Sequence, residues 1–298
     1  MKIDAVFEGG GVKGFAYIGA IQTLEEAGYV WNQLAGSSVG SITAAMLAAG
    51  FNGEEMKQHF LDFPLEQLGQ KSGISRIPLI GSTLSLELLN GIYSLSPLEK
   101  WLTDALKTKG KVTFGDLPKN KLKIIVSDIT KNRMSVFPDD LPLYHINPDE
   151  FPIAQAVTMS SSVPLFFKPL TLDGNIMVDG SLLSNYPLWL FDTKETPRWP
   201  TFGFRLSGPK RIHHPKKVKG LVDITLALFK TMMEAHDKRY IESHNAVRTI
   251  FITGIPVSVT QFGISKEEKL QLIELGKKAA EEFLGKWNFS DYIRRYRV

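Results

Sequence analysis

Apolar and polar positions change rhythm repeatedly along this chain. Ile3 to Phe7 is a short apolar run that stops at Glu8 and three glycines, as a buried strand ending in a loop does. Phe15 to Ala27 carries apolar residues near helical spacing, with Gly28 placed to cap it. Val30 to Ala35 is a second strand candidate, Gly36-Ser37-Ser38-Val39-Gly40 a tight turn, and Ser41 to Ala49 an alanine-rich buried helix ended by Gly50. Strand, loop, helix, strand, turn and helix within fifty residues predict an α/β fold, a three-layer α/β/α arrangement with a largely parallel central sheet.

Further on, Ser96-Pro97-Leu98-Glu99 opens a helix, with Ser96 as cap and Pro97 at the first position. Lys121 to Ser127 predicts a strand and Ile153 to Met159 a helix. Phe166 to Leu172 and Ile176 to Val178 predict two strands joined by Asp173-Gly174-Asn175. Thr201 to Leu206 and Arg248 to Thr253 read as late strands, with a long helix from Leu221 to about Asn245 between them. Ser265-Lys266-Glu267-Glu268 is a capping box opening a last amphipathic helix. Residues 69–95 are rich in Ser, Gly, Leu and Ile; they read either as an apolar cover over a binding site or as a loop packed on the core. There are no repeats, and residues 1–298 read as one domain, with a motif-bearing core of about 3–190 and an extension of about 200–298.

Composition narrows the picture. Of 298 residues 43% are apolar and 22% charged, ordinary for a globular protein. The absence of cysteine excludes disulfides, thiolate metal sites and a cysteine nucleophile. Acidic residues at positions 4 and 8 interrupt any signal-peptide core, and no apolar run reaches the roughly 18 residues needed to span a bilayer. A cytoplasmic protein is expected. The net charge of +4 is weighted late in the chain, with Lys210, Arg211, Lys216, Lys217 and Lys219 around His213 and His214, and Arg294, Arg295 and Arg297 at the end. That basic patch reads as a solvated loop and tail, or as a peripheral contact with anionic lipid. Nucleic acid is not expected as a partner.

Three segments carry candidate chemistry. Gly36-x-Ser38-x-Gly40 between a strand and a helix fits a nucleophile elbow, in which small flanking residues allow a strained turn that exposes the serine. A structural turn would fit the same residues. Gly9-Gly10-Gly11-Val12-Lys13-Gly14 presents consecutive backbone N–H groups, as an oxyanion cradle requires. Both segments follow strands, so a parallel sheet would bring them to one edge. Gly9-x-Gly11-x-x-Gly14 also fits a dinucleotide fingerprint, but the acidic residue expected about 20 positions on is missing, so no dinucleotide is expected. The third segment is Asp179-Gly180. None of the six histidines (His59, His145, His213, His214, His236 and His244) sits in a catalytic context. Asp179 follows a strand and precedes a glycine, so it is the candidate base for Ser38 if apolar surroundings raise its pKa from about 3.9. It would equally serve as a turn cap.

Taken together, these segments resemble the patatin-like phospholipase family. Gly9 to Gly14 look like the family's oxyanion loop and Gly36 to Gly40 like its elbow. Asp179-Gly180-Ser181 looks like its Asp-Gly-Gly/Ala element, with Ser181 where the family has Gly or Ala. Ile125-Val126-Ser127-Asp128 with the following Ile129-Thr130, and Ser160 to Phe167, agree more weakly. The resemblance implies the α/β/α fold, no cofactor and no metal. It also implies a Ser38–Asp179 dyad cleaving fatty-acyl esters of phospholipids or related lipids, with residues 74–95 lining or covering the acyl slot. Two other readings stay open: transfer of the acyl group to an alcohol by the same dyad, and lipid or anion binding without turnover.

Overall fold

The computed structural model describes residues 1–69, 93–206 and 243–296, together with 224, 227–229, 231 and 232. The basic loop around His213 and His214, His236, Arg297, residues 74–92 of the expected acyl-slot cover and most of the expected long helix lie outside them. The elements run β1 (Lys2–Phe7), α1 (Phe15–Glu26), β2 (Val30–Gly36), α2 (Val39–Ala48), α3 (Gly53–Asp62) and α4 (Ser96–Thr108). They continue with β3 (Leu122–Asp128), β4 (Arg133–Phe137), α5 (Ile153–Ser160), β5 (Leu170–Leu172) and β6 (Asn175–Asp179). The last are β7 (Thr201–Arg205), α6 (Ser243–Val247), β8 (Thr249–Phe251), α7 (Lys266–Leu284) and α8 (Phe289–Tyr296).

Eight strands form one sheet in the order β5-β6-β3-β2-β1-β7-β8, with β4 on β3, and helices cover both sides. The five strands from β3 to β8 are parallel neighbours, while β4, β5 and β6 add an antiparallel flank. The expected architecture, a largely parallel sheet between helices, is therefore present, with antiparallel strands added to it. Alternation along β1 sends Ile3, Ala5 and Phe7 into the main core, and Val6 into a smaller cluster with Ala35, Tyr186 and Leu188. β7 and β8, from the last third of the chain, pair beside β1, and α7 packs on α1. That packing is close because Gly19 and Gly276 leave room: a Cβ at Gly276 would lie 1.7 Å from the Ala16 carbonyl oxygen.

One arrangement on β3 positions the site. β4 runs along residues 124–128 on one edge. On the other edge β2 pairs with the first half, Leu122 to Ile124, and β6 with the second half, Val126 to Asp128. Parallel β2 and antiparallel β6 thus end facing each other, Gly36 opposite Ile124 and Asp179 opposite Val126. The chain continues from those ends into Ser37-Ser38 and Gly180-Ser181.

Local signals act largely as expected. Asp173 and Gly174 both have positive φ, 47° and 74°, the mirror-image turn that suits the β5–β6 hairpin. Ser265 accepts from the Glu268 amide and caps α7. At α4 the cap differs from expectation: Leu95 takes the cap position, Ser96 is already helical, and the Ser94 hydroxyl accepts from the Ser96 amide.

Candidate active site

Ser38 occupies the turn between β2 and α2 with φ 51° and ψ −128°, a strained conformation for a residue with a side chain. The flanking glycines permit it. A Cβ on Gly36 would lie 2.2 Å from the Gly40 carbonyl, and one on Gly40 2.2 Å from the Phe7 carbonyl oxygen. α2 begins at the next residue, so its N-terminal end faces the serine. The Ser38 amide donates to Ser160 Oγ at 2.9 Å, which ties the elbow to the end of α5.

Asp179 ends β6 and is buried. Ser38 Oγ donates to its Oδ2 at 2.8 Å, and the Ser181 amide donates to its Oδ1 at 2.8 Å. The residue therefore both caps its turn and meets the serine. Burial pushes its pKa up from 3.8 to about 6, against the lowering effect of the hydrogen bonds from Ser181 and Ser38. Gly180 brings this turn onto β3: a Cβ there would lie 2.1 Å from the Ile125 carbonyl oxygen.

The glycine loop lies beside the elbow because β1 pairs with β2, Phe7 opposite Gly36. The Gly9 amide donates to the Asn185 carbonyl at 3.1 Å, whereas the amides of Gly10 and Gly11 have no acceptor among the described residues. Gly14 packs against Val39, where a Cβ would lie 2.3 Å from a Val39 methyl. Gly11 has φ 55°, and the next amide, Val12, donates to the Val259 carbonyl at 3.1 Å, so a late loop fixes this early one. Beneath the loop, buried Glu8 pairs with buried Arg205 at 3.2 Å and accepts from the Leu206 amide and Asn185 Nδ2. No sequence motif marks that support, because its members lie 177 to 198 positions apart.

Ser38, Asp179, Gly10 and Gly11 border a cavity of about 100 Å³. Its other walls are mainly apolar, with Phe60 of α3, Phe63, Leu98 and Trp101 of α4, and Phe262 among them. Of the expected cover, Leu95 lines this cavity and the Ser94 hydroxyl accepts from the Ser96 amide. The lining from α3 and Phe63 had no sequence motif.

Among the described histidines, His59 packs edge-on against Phe51 and His145 pairs with Asp173 at the surface. Neither bonds Ser38 or Asp179. Asp128, in the weaker matching block, closes the β3–β4 turn by accepting from the Thr130 and Lys131 amides and from the Tyr144 hydroxyl. No group of three or more His, Asp or Glu side chains is gathered for a metal among the described residues, and no described helix is long and apolar enough to cross a membrane.

A serine on a tight elbow, buried at the wall of an apolar cavity and beside a glycine loop, fits a class of lipid ester hydrolases, and comparison with known proteins agrees. Residues 5–192 match the model of the patatin-like phospholipase family, so the chain belongs to that family. The YqhO protein of Bacillus subtilis is 42% identical over 294 residues, covering 97% of this chain and all of that protein. The R571 protein of Acanthamoeba polyphaga mimivirus is 26% identical over 293 residues, 94% of this chain and 92% of that one. The fold is also that of VipD from Legionella pneumophila (TM-score 0.59, 20% identity, 95% of this chain) and of the type III effector ExoU (TM-score 0.53, 17% identity, 96% of this chain). This chain spans 66% of the VipD chain and 53% of the ExoU chain.

Proposed function

We propose that this protein hydrolyses fatty-acyl esters of lipids, of phospholipase A or lysophospholipase type, through an acyl-enzyme on Ser38 with Asp179 as its base. The observation that carries the reading is the 2.8 Å hydrogen bond from Ser38 Oγ to a buried carboxyl, at an apolar cavity. A serine hydroxyl is a poor nucleophile without a base, and a carboxylate of ordinary pKa is a weak one. Burial that raises Asp179 to about 6 makes it stronger while leaving it mostly ionised at neutral pH.

In this mechanism Asp179 takes the Ser38 proton as Oγ bonds to the ester carbonyl carbon. The Gly10 and Gly11 amides stabilise the resulting oxyanion, aided by the α2 N-terminus. Collapse breaks the bond to the alcohol oxygen, which leaves with the proton from Asp179. Water then gives a proton to Asp179 and attacks the acyl-enzyme; Ser38 regains its proton and the fatty acid departs. Gly9 and Gly14 support the loop in this reading, through Asn185 and Val39, rather than donating to the oxyanion. Gly36, Gly40 and Gly180 allow the close approaches. No metal or cofactor takes part in these steps. The whole chain is read as one catalytic domain, since β7 and β8 complete the sheet beside β1. The substrate is a membrane lipid or another fatty-acyl ester, met by peripheral contact with a lipid surface.

The test is fatty-acid release from phospholipid vesicles and from soluble short-chain esters, with chelator present, by wild type, Ser38→Ala and Asp179→Asn. Activity in wild type and its loss in both folded variants supports the dyad. Full activity in Asp179→Asn removes Asp179 as the base, and inert wild type on every ester removes the hydrolase reading.

A further inference from the structure

Three consecutive serines, Ser160, Ser161 and Ser162, close α5. The outer two are tied to the reacting pair. Ser160 Oγ accepts from the Ser38 amide at 2.9 Å, and the Ser162 carbonyl accepts from the Asp179 amide at 2.9 Å. Ser162 Oγ donates to the Lys168 carbonyl. The middle residue, Ser161, is thus held between nucleophile and base, and it lines the apolar cavity with both of them. It is 7% exposed, and its hydroxyl, itself buried, has no partner among the described residues. The other serine hydroxyls at the cavity are engaged, that of Ser38 on Asp179 and that of Ser181 with Ser37. We propose that Ser161 binds the substrate, donating a hydrogen bond to the alcohol oxygen of the scissile ester. The proposal rests on the Ser38–Asp179 mechanism above.

A buried hydroxyl without a partner costs stability, so one kept beside reacting groups calls for an occupant that pairs it. The Ser161 backbone asks for nothing more: its amide donates to the Thr158 carbonyl, and its carbonyl accepts from the Val163 amide. Only the side chain is left over. Rotation about the single Cα–Cβ bond moves its oxygen among three staggered positions, and that turn is what carries it onto a substrate filling the cavity.

The side of Ser38 on which Ser161 lies decides which substrate atom it meets. β2 carries Ser38, with β1 and its glycine loop on one side and β3 with β6 on the other. The oxyanion belongs to the glycine loop. The alcohol oxygen belongs to Asp179, which protonates it, and Ser161 stands at that end. Negative charge grows on this oxygen as its bond to carbon breaks, so a donor there gains strength in the transition state. Ser161 keeps its own proton throughout; the alcohol leaves with the one from Asp179. In deacylation water takes the alcohol's place, giving one proton to Asp179 while its other O–H donates to Ser161 Oγ.

The test is kcat/KM of wild type, Ser38→Ala and Ser161→Ala on two soluble esters of one short acyl chain, an alkyl ester and a nitrophenyl ester, with circular dichroism to confirm folding. A nitrophenolate leaves without a proton or a donor, whereas an alkoxide needs both. Ser161→Ala should therefore lower the ratio of alkyl-ester to nitrophenyl-ester kcat/KM by about tenfold, the worth of one hydrogen bond to a partly charged oxygen. Ser161→Gly serves as a second variant, read by the same ratio, if Ser161→Ala does not fold. A ratio at the wild-type value, with both rates kept or both lowered together, overturns the proposal and leaves the dyad intact. Ester cleavage retained by Ser38→Ala overturns the dyad itself and the proposal with it.

Discussion

Asp179→Asn should inactivate this protein and, above pH 7, make it more stable. In the folded protein the carboxyl has a pKa of about 6, against 3.8 for an exposed aspartate, because burial disfavours its charge. The folded state therefore holds this proton more tightly than the unfolded state does. The stability that comes with it is fully present below about pH 3.8 and is lost as pH rises through about 6. The interval corresponds to about 3 kcal/mol at neutral pH and above. Asparagine carries no charge to desolvate, keeps an oxygen for the Ser181 amide and offers an N–H to Ser38 Oγ. Lost charge-assisted hydrogen bonds take back about 1 kcal/mol, so about 1–2 kcal/mol remains at pH 8 and little at pH 4. For a chain of this size that is a rise of a few degrees in melting temperature. The assay is thermal or urea unfolding of both proteins at pH 4 and pH 8. A difference between variant and wild type that is the same at both pH values would refute the claim that charge burial at Asp179 is what costs stability.

Other perturbations separate the parts of the site. The wild-type rate should rise about tenfold per pH unit on the acid side and level off above about pH 6, as titration of Asp179 requires; a flat profile from pH 5 to 8 would contradict it. Ser160→Ala frees the Ser38 amide at the elbow and should lower kcat about tenfold with little change in KM. Gly9→Ala places a methyl 2.2 Å from Ser181 Oγ and 3.2 Å from Ser38 Cβ; it should cost about 1–3 kcal/mol by denaturant unfolding and most of the activity. Phe63→Ala should reduce activity on long-chain relative to short-chain esters, because it removes one apolar wall of the cavity.

What the sequence made legible was local. The glycine loop, the elbow and Asp179-Gly180 each carry their signal within a few residues, and the sheet then brings them to one place. α3 was not anticipated, although Asn52 and Glu55 form a capping box at its start. It is ten residues long and buries only Met56 and Phe60 beyond its first glycine, too few to set up a clear period. β4 was also missed: Arg133 to Phe137 is half-buried along most of its length, so its alternation is weak. The supports of the site were out of reach for a different reason. Ser160 under the elbow and Arg205 under the glycine loop act across 122 and 197 positions; Ser160 stands in a block that weakly matches the family, but nothing local tells which residue it holds, and nothing at all marks Arg205.

The shared edge of β3 also sets the order in which this molecule can become active. Ser38 and Asp179 are 141 positions apart, and they meet only after β6 has docked onto β3 past the end of β2. Such long-range closure comes late in folding, after helices and local turns have formed. Esterase activity should thus return more slowly than helical circular dichroism during refolding from denaturant, so that the enzyme serves as a clock for its own final docking step.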